Sequence, residues 1–221
     1  MLFSIIAHEI AHGYAALKQG DTTALSAGRL TWNPVKHIDL WLTIIVPIVL
    51  ALAHGPVIGG AKPVPVDPRN YKHRIRGDII VSLAGVATNL VLAGVLAAVI
   101  VILGFVAKAA ALLAPTLSII QAMAGLGIWL NLSLVVFNLL PIPPLDGSHV
   151  AKYLLPRSWA IYYQRVGFLG LILIVLLMQT NGSAMNWWFR PAIVATNFIF
   201  DKVGTSLLPQ AEHLLRQIGL I

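Results

Sequence analysis

The apolar run from residue 78 to about 107 constrains this chain more than any other feature. About 20 apolar residues cross the hydrocarbon of a bilayer as a helix, and this run exceeds that length. Within it, Gly85, Asn89 and Gly94 are small residues of the kind that allow close helix packing in membranes. Composition agrees, since 58% hydrophobic and 10% charged residues leave too little polar surface to cover a soluble globule. The expected fold is an all-α polytopic membrane protein of about four to six membrane helices. With 221 residues the expectation is one membrane-embedded domain over 1–221 and no appended soluble module of ordinary size. The net charge of +7 does not imply nucleic acid, because the basic residues sit between apolar spans, where anionic lipid is the natural partner.

Other segments follow the same logic. A first helix is expected over residues 2–17, with Gly20 as its C-terminal cap. It is short for a crossing, so either a leading segment is absent or the helix begins part-way into the membrane; it lacks the basic start of a cleaved signal peptide. Residues 22–37 turn polar and strand-like around Gly28, Arg29, Leu30, Thr31 and Trp32, which suggests a small β-hairpin lying in or near the membrane interface. Residues 40–53 are apolar but carry Pro47 and are closed by His54, Gly55 and Pro56. Some 15 residues of helix rise only about 22 Å, so a re-entrant segment competes with a crossing. The basic loop 62–76 holds Pro63, Pro65 and Pro68 and should be extended. Further spans are expected over 119–140 and 163–178, with a weaker one over 187–200 that Arg190 and Pro191 interrupt, a tilted span or an interfacial helix. Trp187 and Trp188 read as interfacial anchors.

Charge bears on topology. If residues 40–53 re-enter, Lys18, Arg29, Lys36, the basic residues of 62–76, Lys152, Arg157 and Arg165 share one face, with Lys108 nearly alone on the other. The positive-inside rule favours that arrangement with the basic face cytoplasmic. The helix over 2–17 and that over 119–140 are then parallel, and both carry their polar candidates toward the cytoplasmic side.

Those candidates begin with His8-Glu9-Ile10-Ala11-His12. Residues four apart share a helix face, so His8 and His12 can bind one metal ion, while Glu9 is offset and suited to take a proton from water. This is zinc-hydrolase chemistry, in which the ion lowers the pKa of water to about 7 and a carboxylate accepts the proton. Three polar groups on an otherwise apolar helix are costly unless they serve a function. No cysteine is present, so any metal must use His and carboxylate ligands. Of the eight acidic residues, Asp146 is the best third ligand, because it follows a span directly and is fixed by Pro143, Pro144 and Gly147. The competing role for Asp146 is an N-cap for the helix that starts near Gly147.

Taken together, His8-Glu9-Ile10-Ala11-His12-Gly13, the segment from Gly85 to Asn89, and Asn138-Leu-Leu-Pro-Ile-Pro-Pro-Leu-Asp146-Gly147 resemble the site-2 protease family of intramembrane zinc metalloproteases. The segments 28–39 and 62–68 are similar to its compact bacterial members. The resemblance covers roughly residues 4–150, with Val86 where the family often has proline. It implies a catalytic core over about 4–150 followed by C-terminal helices over about 158–221. It also implies one zinc ion on His8, His12 and Asp146, with Glu9 as general base, in a bacterial cell membrane. The substrate class implied is a transmembrane helical protein or peptide, cut within or beside its membrane segment.

Asn89 and Asn138 are candidates for stabilising the oxyanion or binding substrate, with helix–helix hydrogen bonding the equal alternative. His54 and His149 could support the ligands or lie at the interface, while His37, His73 and His213 are expected at the surface. Residues 29–32 could pair with an extended substrate edge. A different class of function, a transporter or metal-permeation protein lined by His8, Glu9, His12 and Asp146, fits intramembrane ionisable residues too; no inverted repeat supports it.

Overall fold

The computed structural model describes residues 1–52, 59–167, 169, 170, 172, 173, 176 and 182–221, and among these it is helical with no strand. Among the described residues, two helices are long and apolar enough to cross a membrane. The first, α4, runs over Arg74–Ala109, and the second, α5, over Ala114–Asn138. At 1.5 Å per residue, α4 is about 54 Å long, well beyond the roughly 30 Å of hydrocarbon, so both of its ends emerge from any bilayer it crosses. Its outward side chains include Leu90, Val91, Val95, Ile102 and Phe105, an apolar surface suited to lipid.

The chain divides into two compact units. The first comprises residues 1–88 and 137–188. It opens with α1 (Leu2–Gln19), which ends as expected at Gly20; that residue adopts φ 106°. The N–H groups of Gly20 and Asp21 return to the carbonyls of Leu17 and Ala16 and close the helix. After the short α2 (Thr23–Ser26) come a 3₁₀ turn over Pro34–His37 and a π-helical turn over Leu40–Ile45 that leads into α3 (Val46–Leu52). Beyond α5 this unit holds α6 (Asp146–Ala151) and α7 (Arg157–Arg165). The second unit comprises residues 89–136 and 189–221 and includes most of α8 (Gly182–Val203) and all of α9 (Pro209–Gln217). Its core is Ala93, Ile100, Ala124, Ile128, Leu132, Ala192, Phe200, Val203 and Leu215. The expected interruption of 187–200 does not occur; α8 continues through Pro191. Six of the sixteen residues of the expected span over 163–178 lie outside the described residues, as do Ala53 and His54.

The β-hairpin over residues 22–37 is not formed. Side chains there satisfy the backbone locally, and no ladder is needed. Asn33 accepts from the Val35 N–H at 3.1 Å, Thr31 accepts from the Asn33 N–H at 3.2 Å, and His37 Nε2 meets the Thr31 carbonyl at 2.8 Å. The Arg29 N–H returns to the Ala24 carbonyl at 3.0 Å, so the segment coils on itself.

The apolar segment after Asp39 turns back. Asp39 caps it by accepting from the Trp41 and Leu42 N–H groups, each at 2.9 Å. By Gly60 the chain is again beside the start of this segment: the Gly60 N–H donates to Leu42 at 3.0 Å, and Thr43 Oγ1 donates to the Gly60 carbonyl at 2.7 Å.

Candidate metal centre

The first unit brings three of the sequence candidates together. His8 and His12 lie on one face of α1 and are both buried; their Nε2 atoms are 3.0 Å apart. The carboxylate of Asp146 reaches both, with Oδ2 3.1 Å from His8 Nε2 and Oδ1 3.4 Å from His12 Nε2. Four tetrahedral ligands at zinc–nitrogen or zinc–oxygen distances of about 2.0–2.1 Å lie roughly 3.3 Å from one another. The observed separations match that edge, so the donor set fits a single ion of this kind. Neighbouring Nε2 lone pairs and a carboxylate held this closely need a cation among them or protons to separate them. Asp146 does not act as the N-cap of α6: the helix begins at Asp146 itself, Leu145 occupies the cap position, and no side chain caps it.

Neighbouring groups fix the orientation of these side chains. His12 Nδ1 lies 2.7 Å from the Val81 carbonyl on α4, which makes Nδ1 the protonated nitrogen and leaves Nε2 with its lone pair. Four residues further along α4, Gly85 faces the His8 ring, and an added Cβ would come within 2.5 Å of Cε1 and Nε2. Only hydrogen fits in that position. Gly147 is equally confined, since a Cβ there would collide with the Leu139 and Leu140 carbonyls. Glu9, offset from the ligand pair as the spacing predicts, accepts a hydrogen bond at Oε2 from the Val64 N–H at 2.8 Å.

A sequence profile of Peptidase family M50 matches residues 1–178 of the chain. This chain belongs to peptidase family M50. The chain is 36% identical over 190 residues to "Putative zinc metalloprotease YwhC" of Bacillus subtilis, covering 85% of this chain and 82% of that protein. It is 33% identical over 218 residues to "Putative zinc metalloprotease Rip2" of Mycolicibacterium smegmatis, covering 97% and 77% of the two. The Rip2 protein of Mycobacterium tuberculosis is 28% identical over 206 residues. No solved structure matches.

Other candidates in this M50 chain are distributed more widely. Asn138 is the final residue of α5 and is half-buried in the first unit. Asn89 belongs to the second unit, fully buried, with neither amide atom hydrogen-bonded among the described residues. His149 sits with a group that sequence reasoning missed. Buried Asp78 meets Lys152 Nζ at 2.5 Å and the Tyr153 hydroxyl at 2.7 Å, with His149 Nδ1 at 3.6 Å. This ties the start of α4 to the chain just after α6. His73 and His213 are exposed as expected, but His37 is not: it is fully buried, because its ring seals the 31–37 turn against Thr31. Its place in a polar stretch gave no sign of this.

Proposed function

We propose that this chain is an intramembrane zinc metalloprotease, one membrane-embedded domain over 1–221. Its catalytic core spans about 4–150 and is followed by C-terminal helices over about 158–221. The observation that carries this reading is the meeting of His8 and His12 with Asp146, a residue more than a hundred positions away, at separations that suit one tetrahedral ion. The zinc metalloprotease names of the relatives and membership of family M50 support it.

In this reading His8, His12 and Asp146 hold the ion and Glu9 is the general base. Zinc bound there would lower the pKa of water toward neutrality and polarise the scissile carbonyl. Glu9 takes a proton from the attacking water and delivers it to the leaving amine, so the carboxylate is restored at the end of each turnover. His12, through its Nδ1–H to Val81, keeps its ring in one orientation throughout. Asn89 and Asn138 are proposed to hydrogen-bond the substrate backbone or the developing oxyanion. Substrates are transmembrane helical proteins, cut in or next to the membrane segment, because the site is built among apolar helices. The return of the chain from Leu52 to Gly60 supports the re-entrant topology, and with it a multi-pass protein whose basic face and active site are on the cytoplasmic side.

The test compares the parent with Glu9→Gln, measuring zinc content and cleavage of a transmembrane substrate in detergent. Stoichiometric zinc in both proteins with at least about a thousandfold loss of cleavage in the variant is expected for a removed general base. Absence of zinc from both would sink the site.

A further inference from the structure

Residues 62–67 cross α1 as a strap tied down at successive points. The Lys62 N–H donates to the His37 carbonyl at 2.8 Å, and the Lys62 carbonyl accepts from Arg29 Nη2 at 2.7 Å. The Asp67 N–H donates to Asp21 Oδ2 at 2.7 Å. His37 and Asp21 are fully buried and Arg29 nearly so, which makes these rigid posts. Between them, buried Val64 settles against α1 where Gly13 opens a notch; a Cβ on Gly13 would stand 3.0 Å from Val64 Cγ1 and clash with Leu30. The strap meets the candidate active site through the Val64 N–H, which donates to Glu9 Oε2.

The register of that bond is tightly specified. Pro63 and Pro65 flank Val64, and proline has no N–H. A strap displaced by one residue in either direction would offer Glu9 no donor at all. A carboxylate on a flexible side chain in an apolar helix is costly to leave without a partner, and a charge-assisted hydrogen bond to a fixed amide both stabilises it and limits its rotamers. We propose that the Val64 backbone N–H positions Glu9 for proton transfer, anchoring Oε2 so that Oε1 accepts the proton from the attacking water and returns it to the leaving amine. Arg29, His37, Asp21 and Gly13 act through the strap and hold the donor in register. The inference rests on the reading of Glu9 as general base, and one arm of its test does not need catalysis.

That arm is amide hydrogen exchange on metal-free protein in detergent, comparing the parent with Glu9→Ala. Within residues 62–66 only Lys62, Val64 and Val66 carry exchangeable amides, so the Val64 signal is separable. Exchange at Val64 is expected to accelerate at least about tenfold in Glu9→Ala, with Lys62, bonded to His37, unchanged. Equal Val64 exchange in both proteins would overturn the proposal. The second arm uses the zinc-loaded protein. Val64→Pro deletes the N–H and is expected to lower kcat about a hundredfold, as a misplaced catalytic group does, at unaltered KM and zinc content. Val64→Ala keeps the N–H and should recover most of that loss. Parent kcat in Val64→Pro, or an equal loss in both variants, would count against positioning. If the parent cleaves nothing, the protease reading fails, while the exchange result still decides whether Val64 holds Glu9.

Discussion

The two compact units bury polar groups of different kinds. Among the described residues, every buried ionisable side chain lies in the first: His8, His12, Asp21, Arg29, His37, Tyr71 and Asp78. The second buries Asn89, Ser118, Gln121, Asn131 and Thr196, which are polar but neutral. Gln121 shows what such a residue does there. Its amide nitrogen donates to the carbonyls of Ile100 and Ser206, both at 2.9 Å, and its oxygen accepts from the Leu208 N–H at 2.9 Å, joining α4, α5 and the chain before α9. Neutral amides can bind helices together without the desolvation cost of an ion. Among the described residues, buried ionisable groups are thus confined to the unit that holds the candidate metal centre.

Substitution of the anchoring residue in each unit tests that contrast at its largest. Asp78→Leu leaves Lys152 and Tyr153 without their shared acceptor and is expected to cost about 3 kcal/mol, read as a lowered SDS midpoint of unfolding. Gln121→Leu is expected to cost about 1–2 kcal/mol by the same measurement. An equal or larger loss at Gln121 would erase the distinction.

A pair of glycines on α4 sharpens it further. Gly85→Ala drives a methyl group into the His8 ring, and the displaced ligand should lower peptidase activity about a hundredfold while the helix persists by circular dichroism. Gly94→Ala meets nothing within 4 Å and should leave activity intact, with a gain of up to about 0.5–1 kcal/mol in helix stability. Comparable activity loss at both positions would show that α4 itself, and not the recess at Gly85, is what the substitutions disturb.

The smallest expected effect is on acid stability. Burial disfavours the Asp21 carboxylate. Hydrogen bonds from the side chains of Thr23 and Asn70 and from the Asp67 and Thr23 N–H groups outweigh that and hold its carboxyl below the usual range. A lowered folded-state pKa contributes stability that is complete above the ordinary carboxylate pKa and is lost as pH falls through the folded value. Asp21→Asn should therefore flatten the acid-side decline of the unfolding midpoint. An unchanged decline would assign the acid sensitivity to other carboxylates.

How far the sequence carried these features depended on range. His8 and His12 were legible because four residues on a helix fix their relation. The long helices were legible because an uninterrupted apolar run has few alternatives, and the end of α1 because Gly20 is the usual residue for its conformation. Asp146 emerged by elimination among few acidic groups and from its rigid approach. Residues 22–37 misled because the stretch Arg29-Leu30-Thr31-Trp32 alternates as a strand does, whereas Asp21, Asn33 and Asp39 capture nearby N–H groups and favour turns. The buried state of His37, the recess at Gly85 for His8, and the bond from Val64 to Glu9 all join positions that only the finished fold makes neighbours.

The prolines of the strap have one more consequence. Between Lys62 and Asp67 the chain carries just two N–H groups, and Val64 spends one of them on Glu9. An extended peptide that drifts alongside can find carbonyls to donate to but at most Val66 to accept from, too few for a β-ladder to propagate. The same spacing that aims a donor inward thus makes this stretch a poor template for aggregation in a crowded membrane.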